Sequence, residues 1–294
     1  MHSLSRWPLL AAVLFTFGQV QAAPAPAPQP TGYVLPESET WDLKSATGDA
    51  YRILVSHPKG KPPEQGYPVL YVLDGNTIFA SFAEARRLQQ LADKNINNSL
   101  IVAVGYPTDE PYDYARRMYD FTPQFEDPMP PSEKVFATWK SGGNDRFASF
   151  LLDVLRPEVA KRYSVNPDRQ ALFGHSLGGL FALHMLYKHP DAFRAIIAAS
   201  PSIYWNNSSL LKEEREFTAR LTQSPFRTAR LMMVVGDREE TKYEMWDAEA
   251  LAKRLEPLSA YGLRSQFEEF AWEEHLGVPT RAITGTLRFA FAWP

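Results

Sequence analysis

The chain has 294 residues, 45% of them hydrophobic, with 31 basic and 34 acidic side chains and a formal net charge of −3. That composition allows a sizeable core, and its balance of charge excludes the basic surplus of a nucleic-acid-binding protein. It has no cysteine, which excludes a disulfide framework, thiolate chemistry and a lipid-modified cysteine.

Residues 1–22 read as a secretory signal peptide: basic Arg6, an apolar stretch from Leu9 to Phe17, and small residues Val20 and Ala22 spaced for cleavage. The stretch is too short for an ordinary spanning helix. Cleavage near Ala22 would leave a Pro/Ala-rich leader over 23–32, a stiff extended segment. Residues 33–294 then form a single α/β domain. No later run is long enough to span a bilayer, so no membrane insertion is expected after cleavage, and export without cysteine suits a periplasm.

The next element, ETWDLKS (39–45), reads as an antiparallel edge strand pairing with 51–57. Strands follow at 51–58, 68–74, 99–106, 170–176, 194–200, 230–237 and 265–272. Several are continuous runs of Val, Ile and Leu, the pattern of strands buried on both faces in a parallel sheet. Helix patterns lie between them near 77–93, 145–162, 177–188, 207–222 and 244–260, with a last one near 279–292. Such alternation implies a mostly parallel central sheet flanked by helices on both faces. Asn144 or Asp145 is placed to cap the helix from Arg146, and Pro157 to kink or split it. Residues 107–143 contain six prolines and the stretch SGG. They read as a long excursion over the sheet, a kind of segment that is often functional.

GHSLG (174–178) matches the nucleophile elbow of α/β-hydrolases, between an apolar strand and an apolar helix. Chance gives roughly 0.1 such matches in a chain this long, so the context carries the assignment. Ser176 would stand on a sharp turn. Gly174 and Gly178 would avoid collisions with neighbouring backbone, and Gly179 would let the helix lie close to the sheet.

A serine hydroxyl needs a base, and the base an orienting acid; in this fold they follow in the order Ser, acid, His. Elimination singles out the base. His2 is in the signal segment, His57 precedes the serine, His175 is inside the elbow, and His184 and His189 lie on the helix that follows. His275, in WEEHLGVP after the last strand, remains. The acid should follow RLMMVV, in GDREE. Glu239 is favoured, three residues past Gly236, with Asp237 and Glu240 as alternatives. The oxyanion donors should be the backbone N–H of Leu177, at a helix N-terminus, and that of Asn76 in LDGN, where Gly75 lets the backbone approach. No motif has metal-ligand spacing, so neither a catalytic metal nor another cofactor is expected.

LYVLDGN, RRMYDFTP, SGGNDRFASFL, LFGHSLGGLFAL, AASPSIYW and WEEHLGVP, in that order, resemble the esterase D-type α/β-hydrolases. The resemblance is nearest to the periplasmic esterases of trilactone siderophores such as enterobactin and salmochelin, and covers essentially all of the chain after the signal segment. It implies the α/β-hydrolase fold, Ser176 as nucleophile, His275 as base, and hydrolysis of a catecholate siderophore's ester bonds to help free iron. Some members are described as working with a Ser–His dyad, so a third catalytic group is not required by the resemblance. A ferric catecholate is flat and anionic and would want aromatic faces and cations. The candidates are Trp205 first, then Tyr204, Arg117, Lys140 and Arg146. Two rivals remain on sequence: a feruloyl- or acyl-carbohydrate-type esterase, and a non-catalytic siderophore-binding protein.

Overall fold

The computed structural model describes residues 32–89, 94–126, 128–129, 131–223, 229–239 and 242–291. The expected signal segment 1–22 with its cleavage near Ala22, the expected leader 23–32 apart from Gly32, and Glu240 lie outside the described residues.

From Leu35 onward the elements run as follows. β1 (Ser38–Lys44), β2 (Ala50–Ser56) and β3 (Tyr67–Val72) lead into α1 (Gly75–Leu88) and a short α2 (Lys94–Asn97). Then come β4 (Leu100–Gly105), α3 (Tyr114–Phe121), α4 (Asn144–Ser149), a π-helical segment (Phe150–Leu155) and α5 (Arg156–Arg162). β5 (Val165–His175), α6 (Leu177–Lys188), β6 (Ala195–Ala199), α7 (Trp205–Ser208), α8 (Leu210–Gln223) and β7 (Ala229–Gly236) follow. α9 (Lys242–Leu255), β8 (Leu263–Phe270), α10 (Val278–Arg281) and α11 (Ile283–Phe291) complete the order.

The eight strands form one sheet in the order β1-β2-β4-β3-β5-β6-β7-β8. β1–β2 and β2–β4 are antiparallel; every pairing from β4 to β8 is parallel. The interior strands β3, β4 and β6 are buried at every position, because helices cover both faces. Side chains leave a strand alternately up and down, so Val69 and Tyr71 join one core and Leu70 and Val72 the other. Phe121, Phe147 and Phe181 fill the first core; Phe82, Phe173 and Phe291 fill the second. The edge strands β1 and β8 carry exposed charges, including Glu39, Arg264 and Glu268, which blunts edge-to-edge pairing.

This order sets where a ligand can bind. The chain leaves β3 toward β4 and returns past β3 to β5, so the crossover direction reverses between β3 and β5. The crevice at the carboxyl ends of those strands is the ligand site of open α/β sheets.

Two local expectations differ, at the cap of α4 and in the excursion, while the split expected at Pro157 is present. Gly143, not Asn144 or Asp145, caps α4, and Asn144 is already its first residue. Pro157 leads α5, and the widened π turns lie just before it, where its missing N–H and its ring would otherwise disrupt an α-helix. The excursion of 107–143 contains a true helix, α3, capped by the Asp113 side chain accepting from Arg116 N–H. No helix among the described residues is long and apolar enough to cross a membrane.

Candidate active site

β5 ends at His175, α6 starts at Leu177, and Ser176 makes the whole turn at φ 58° and ψ −120°. A side chain rarely adopts this backbone, which marks a site held under strain by its surroundings. Ser176 N–H donates to Ala199 O (3.0 Å) and Ser202 N–H to Ser176 O (3.2 Å), fixing the turn against the end of β6. A Cβ on Gly174 would collide with the Gly178 carbonyl, so that glycine is obligatory. The expected collision at Gly178 does not arise: its nearest neighbour there would be Asp74 Oδ2 at 3.5 Å, an ordinary contact. Gly179 is the tighter position, with Pro201 Cα at 3.0 Å.

His275 reaches this turn from the loop after β8. His175 Nε2 donates to the His275 carbonyl (2.9 Å), and the two rings lie 4.6 Å apart. Burial, with the nearby His275 and Arg117 charges, lowers the His175 pKa to about 3, so it bonds as a neutral ring. The loops after β7 and β8 are knitted together: Asp237 N–H donates to Phe270 O (3.1 Å) and Arg238 N–H to Glu273 O (3.0 Å).

Glu239 Oε2 faces His275 Nδ1 at 3.0 Å. Its other oxygen accepts from Ser200 Oγ (2.6 Å) and Gly236 N–H (2.6 Å). Burial would raise this carboxyl's pKa, but the bonds from His275, Ser200 and Gly236 outweigh it and hold it at about 2. Asp237 accepts from Trp272 N–H (2.7 Å) and ties the two loops instead. Ser200 and Ser202 are site residues that sequence reasoning passed over. Ser200 braces Glu239 from a backbone at φ 42°, and Ser202 Oγ lies 3.5 Å from Ser176 Oγ. Their only sequence signal was a position in AASPSIYW directly after a buried strand.

Two helix N-termini flank the crevice. Leu177 opens α6, and Asn76 is the second residue of α1. Their N–H groups belong to first turns, which lack intrahelical acceptors and favour negative charge. The Asn76 side chain locks its own turn to the segment after β4. Nδ2 donates to Tyr106 O (3.0 Å) and Thr108 O (2.9 Å), and Oδ1 accepts from Tyr106 N–H (2.8 Å).

The expected ligand contacts need correction. Trp205 is 2% exposed and packs against Phe125 and Phe136, ring centroids 5.3 and 5.5 Å away. It is a core residue and offers no face to a ligand. Arg117 is buried, and its guanidinium makes two 3.0 Å bonds to the Asp74 carboxylate. It neutralises Asp74, whose left-handed backbone (φ 55°) begins the α1 turn, and is not a spare cation. Arg146 donates to Tyr119 Oη (2.9 Å) and faces Asp49 at the start of β2. β2 is three strand positions from β5. At roughly 4.8 Å per strand that is about 14 Å to the side. Lys140 is exposed and Tyr204 half-buried.

A cavity of about 220 Å³ opens beside the site. It is lined by Leu73, Asp74, Thr77, Ile78, Tyr112, Phe173, His175, Leu276, Pro279 and Thr280. Among the described residues, no group of three or more His, Asp or Glu is placed to hold a metal ion.

Comparison with known proteins agrees with this architecture. The "Putative esterase" family model matches residues 44–279. The chain is 37% identical over 264 residues to the ferri-bacillibactin esterase BesA of Bacillus subtilis, covering 88% of this chain and 91% of that one. It is 36% identical over 214 residues to the siderophore enterobactin esterase of Emericella nidulans, 68% of this chain and 69% of that one. The crystal structure of the BES protein from Bacillus cereus superposes with a TM-score of 0.82 at 34% identity, over 90% of this chain and 99% of that one. The chain belongs to the putative-esterase family and has the α/β-hydrolase fold of its siderophore-esterase relatives.

Proposed function

We propose that the protein is a serine esterase that hydrolyses the ester bonds of a catecholate trilactone siderophore such as ferric enterobactin, aiding iron release. The observation that carries this reading is the chain of contacts Ser200–Glu239–His275 beside the strained turn of Ser176. An acid fixed by two donors orients an imidazole, and the imidazole lies against the residue preceding the only elbow serine in the sequence.

Ser176 Oγ attacks the ester carbonyl carbon as His275 Nε2 takes its proton. Glu239 fixes the tautomer by accepting from Nδ1 and stabilises the imidazolium. The carbonyl oxygen becomes an oxyanion held by the N–H groups of Leu177 and Asn76. Collapse breaks the bond to the alcohol oxygen, which takes the proton from His275. Water, deprotonated by the same ring, then cleaves the acyl-enzyme to acid and free serine. The names of relatives that act on ferri-bacillibactin and enterobactin support the substrate class.

The apolar segment Leu9 to Phe17 behind Arg6, in a chain without cysteine, supports export and cleavage near Ala22, with the enzyme acting in the periplasm. Mass spectrometry of the chain recovered from a periplasmic extract should give an N-terminus near Ala23. Separating the products of iron-loaded and metal-free trilactone tests the reaction itself. Linear dihydroxybenzoylserine fragments should form with the wild type and not with Ser176→Ala. Equal product from both would overturn the assignment.

A further inference from the structure

Both oxyanion donors stand at helix N-termini, and a carboxylate stands beside them. Asp74 is the N-cap residue of α1, two positions before Asn76. A Cβ placed on Gly178, the residue after Leu177, would lie 3.5 Å from Asp74 Oδ2. The carboxylate is therefore next to the start of α6 as well as at the start of α1. The Asp74 side chain is 7% exposed, so little water screens its charge.

A group in that place opposes the reaction in two ways. A helix N-terminus attracts any anion, and an Asp at the N-cap normally accepts from the N–H of the second or third helical residue. In α1 the second residue is Asn76. A carboxylate that capped its own helix would take the N–H that the oxyanion needs. Left free beside that N–H, it would still repel the negative charge that develops on the carbonyl oxygen.

The Asp74 side chain makes no capping bond. Arg117 donates to both of its oxygens instead, Nε to Oδ1 and Nη2 to Oδ2, each at 3.0 Å. The Tyr112 and Phe121 rings flank the guanidinium, their centroids 5.2 and 5.7 Å from its carbon. Burial opposes the Arg117 charge, but Asp74 outweighs burial and raises its pKa. A planar fork that meets a carboxylate with two parallel bonds fixes its direction as well as its charge. Arg117 belongs to α3, so the excursion of 107–143 supports the site through this pair.

We propose that Arg117 is a positioning residue for the oxyanion hole: it draws the Asp74 carboxylate off the Asn76 N–H and cancels its charge, and so keeps both helix N-termini open to the oxyanion. This rests on the serine-esterase reading above and names a residue on which its transition state depends.

A double-mutant cycle of Arg117→Met and Asp74→Gly tests this, since glycine keeps the left-handed turn at position 74 without strain. Hydrolysis of p-nitrophenyl butyrate, an uncharged ester, is measured beside the rate at which a fluorophosphonate labels Ser176. Arg117→Met should lower kcat by roughly a hundredfold, the worth of one oxyanion donor, with KM changed by less than about threefold. Labelling of Ser176 should slow by a similar factor, because the phosphonyl oxygen enters the same hole. Adding Asp74→Gly should raise kcat at least about tenfold above Arg117→Met. A pair that merely held two loops together would gain nothing from losing its second half. A double variant no faster than Arg117→Met therefore overturns the proposal. If circular dichroism shows Arg117→Met unfolded, the double variant, which buries no unpaired charge, is compared with Asp74→Gly alone. The two should agree in kcat within about threefold, because Arg117 acts only through Asp74. A larger loss would make Arg117 a group that meets the substrate itself and would contradict the proposal. A wild type that cuts no ester and leaves Ser176 unlabelled removes the esterase reading, and this proposal with it. Labelling equally fast in wild type and Arg117→Met removes the role of Arg117 alone.

Discussion

Two histidines among the described residues are hydrogen-bonded to glutamates through Nδ1, yet the two regions differ in what they can do. His275 Nδ1 lies 3.0 Å from Glu239, and His184 Nδ1 lies 2.8 Å from Glu213. The His275 pair is at the carboxyl ends of the strands, with the imidazole 28% exposed and Glu239 braced by Ser200 and Gly236. His184 is inside a helix sandwich, its side chain 4% exposed, with Glu213 of α8 on one nitrogen. Its Nε2 faces Asp145 of α4 at 3.3 Å, an ion-pair distance without hydrogen-bond alignment. Burial opposes its charge, but the two carboxylates outweigh burial and raise its pKa to about 9. A ring with carboxylates at both nitrogens stays protonated and works as a clamp between α4, α6 and α8. A ring with a carboxylate at one nitrogen is oriented, and its other nitrogen can serve a nucleophile. The histidine–acid pair alone does not mark a catalytic centre; the second nitrogen decides.

Breaking the His275 side should show first in rate. Ser176→Ala should lower kcat by about 10⁶, with circular dichroism and thermal unfolding unchanged, because alanine keeps the Cβ and the same turn. Glu239→Gln should come next, lowering kcat by about 10³–10⁴ because the amide favours the wrong tautomer of His275. Ser200→Ala removes one of two donors to Glu239 Oε1 and should lower kcat by about tenfold, the worth of one charge-assisted hydrogen bond. If it equals Glu239→Gln, the serine is more than a brace.

The His184 side should show in stability and not in rate. Its folded pKa is raised, so its stabilisation is complete below the unfolded value of 6.5 and is lost as pH rises through about 9. His184→Gln should therefore be less stable than wild type by about 2–3 kcal/mol at about pH 6, and the gap should close by about pH 10. Urea titrations across that range, with kcat measured beside them, check both halves of the contrast. A gap that widens with pH would reverse the assignment of charge to His184.

Much of this was legible before the structure. Strands such as LIVAVG announce themselves because burial on both faces demands unbroken apolar runs. The elbow was legible because the turn at Ser176 admits no side chain at Gly174. Other features depend on partners far away in sequence. α3 is eight residues long and polar, and it holds its place through buried Met118, Phe121 and the Arg117–Asp74 pair, 43 residues apart. Trp205 lies at a strand's carboxyl end, as ligand contacts do, but Phe125 and Phe136 arrive from the excursion to bury it. Among GDREE, the choice of carboxylate depends on Ser200, which waits at the end of the neighbouring strand.

The central claim is that Ser176 is an activated nucleophile served by His275. Treating the protein with a fluorophosphonate and sequencing the modified peptide tests it most directly. One adduct on Ser176 in the wild type, formed far more slowly in His275→Ala, is the predicted result. A Ser176 that stays unlabelled, or one that labels equally fast without the imidazole, would contradict it.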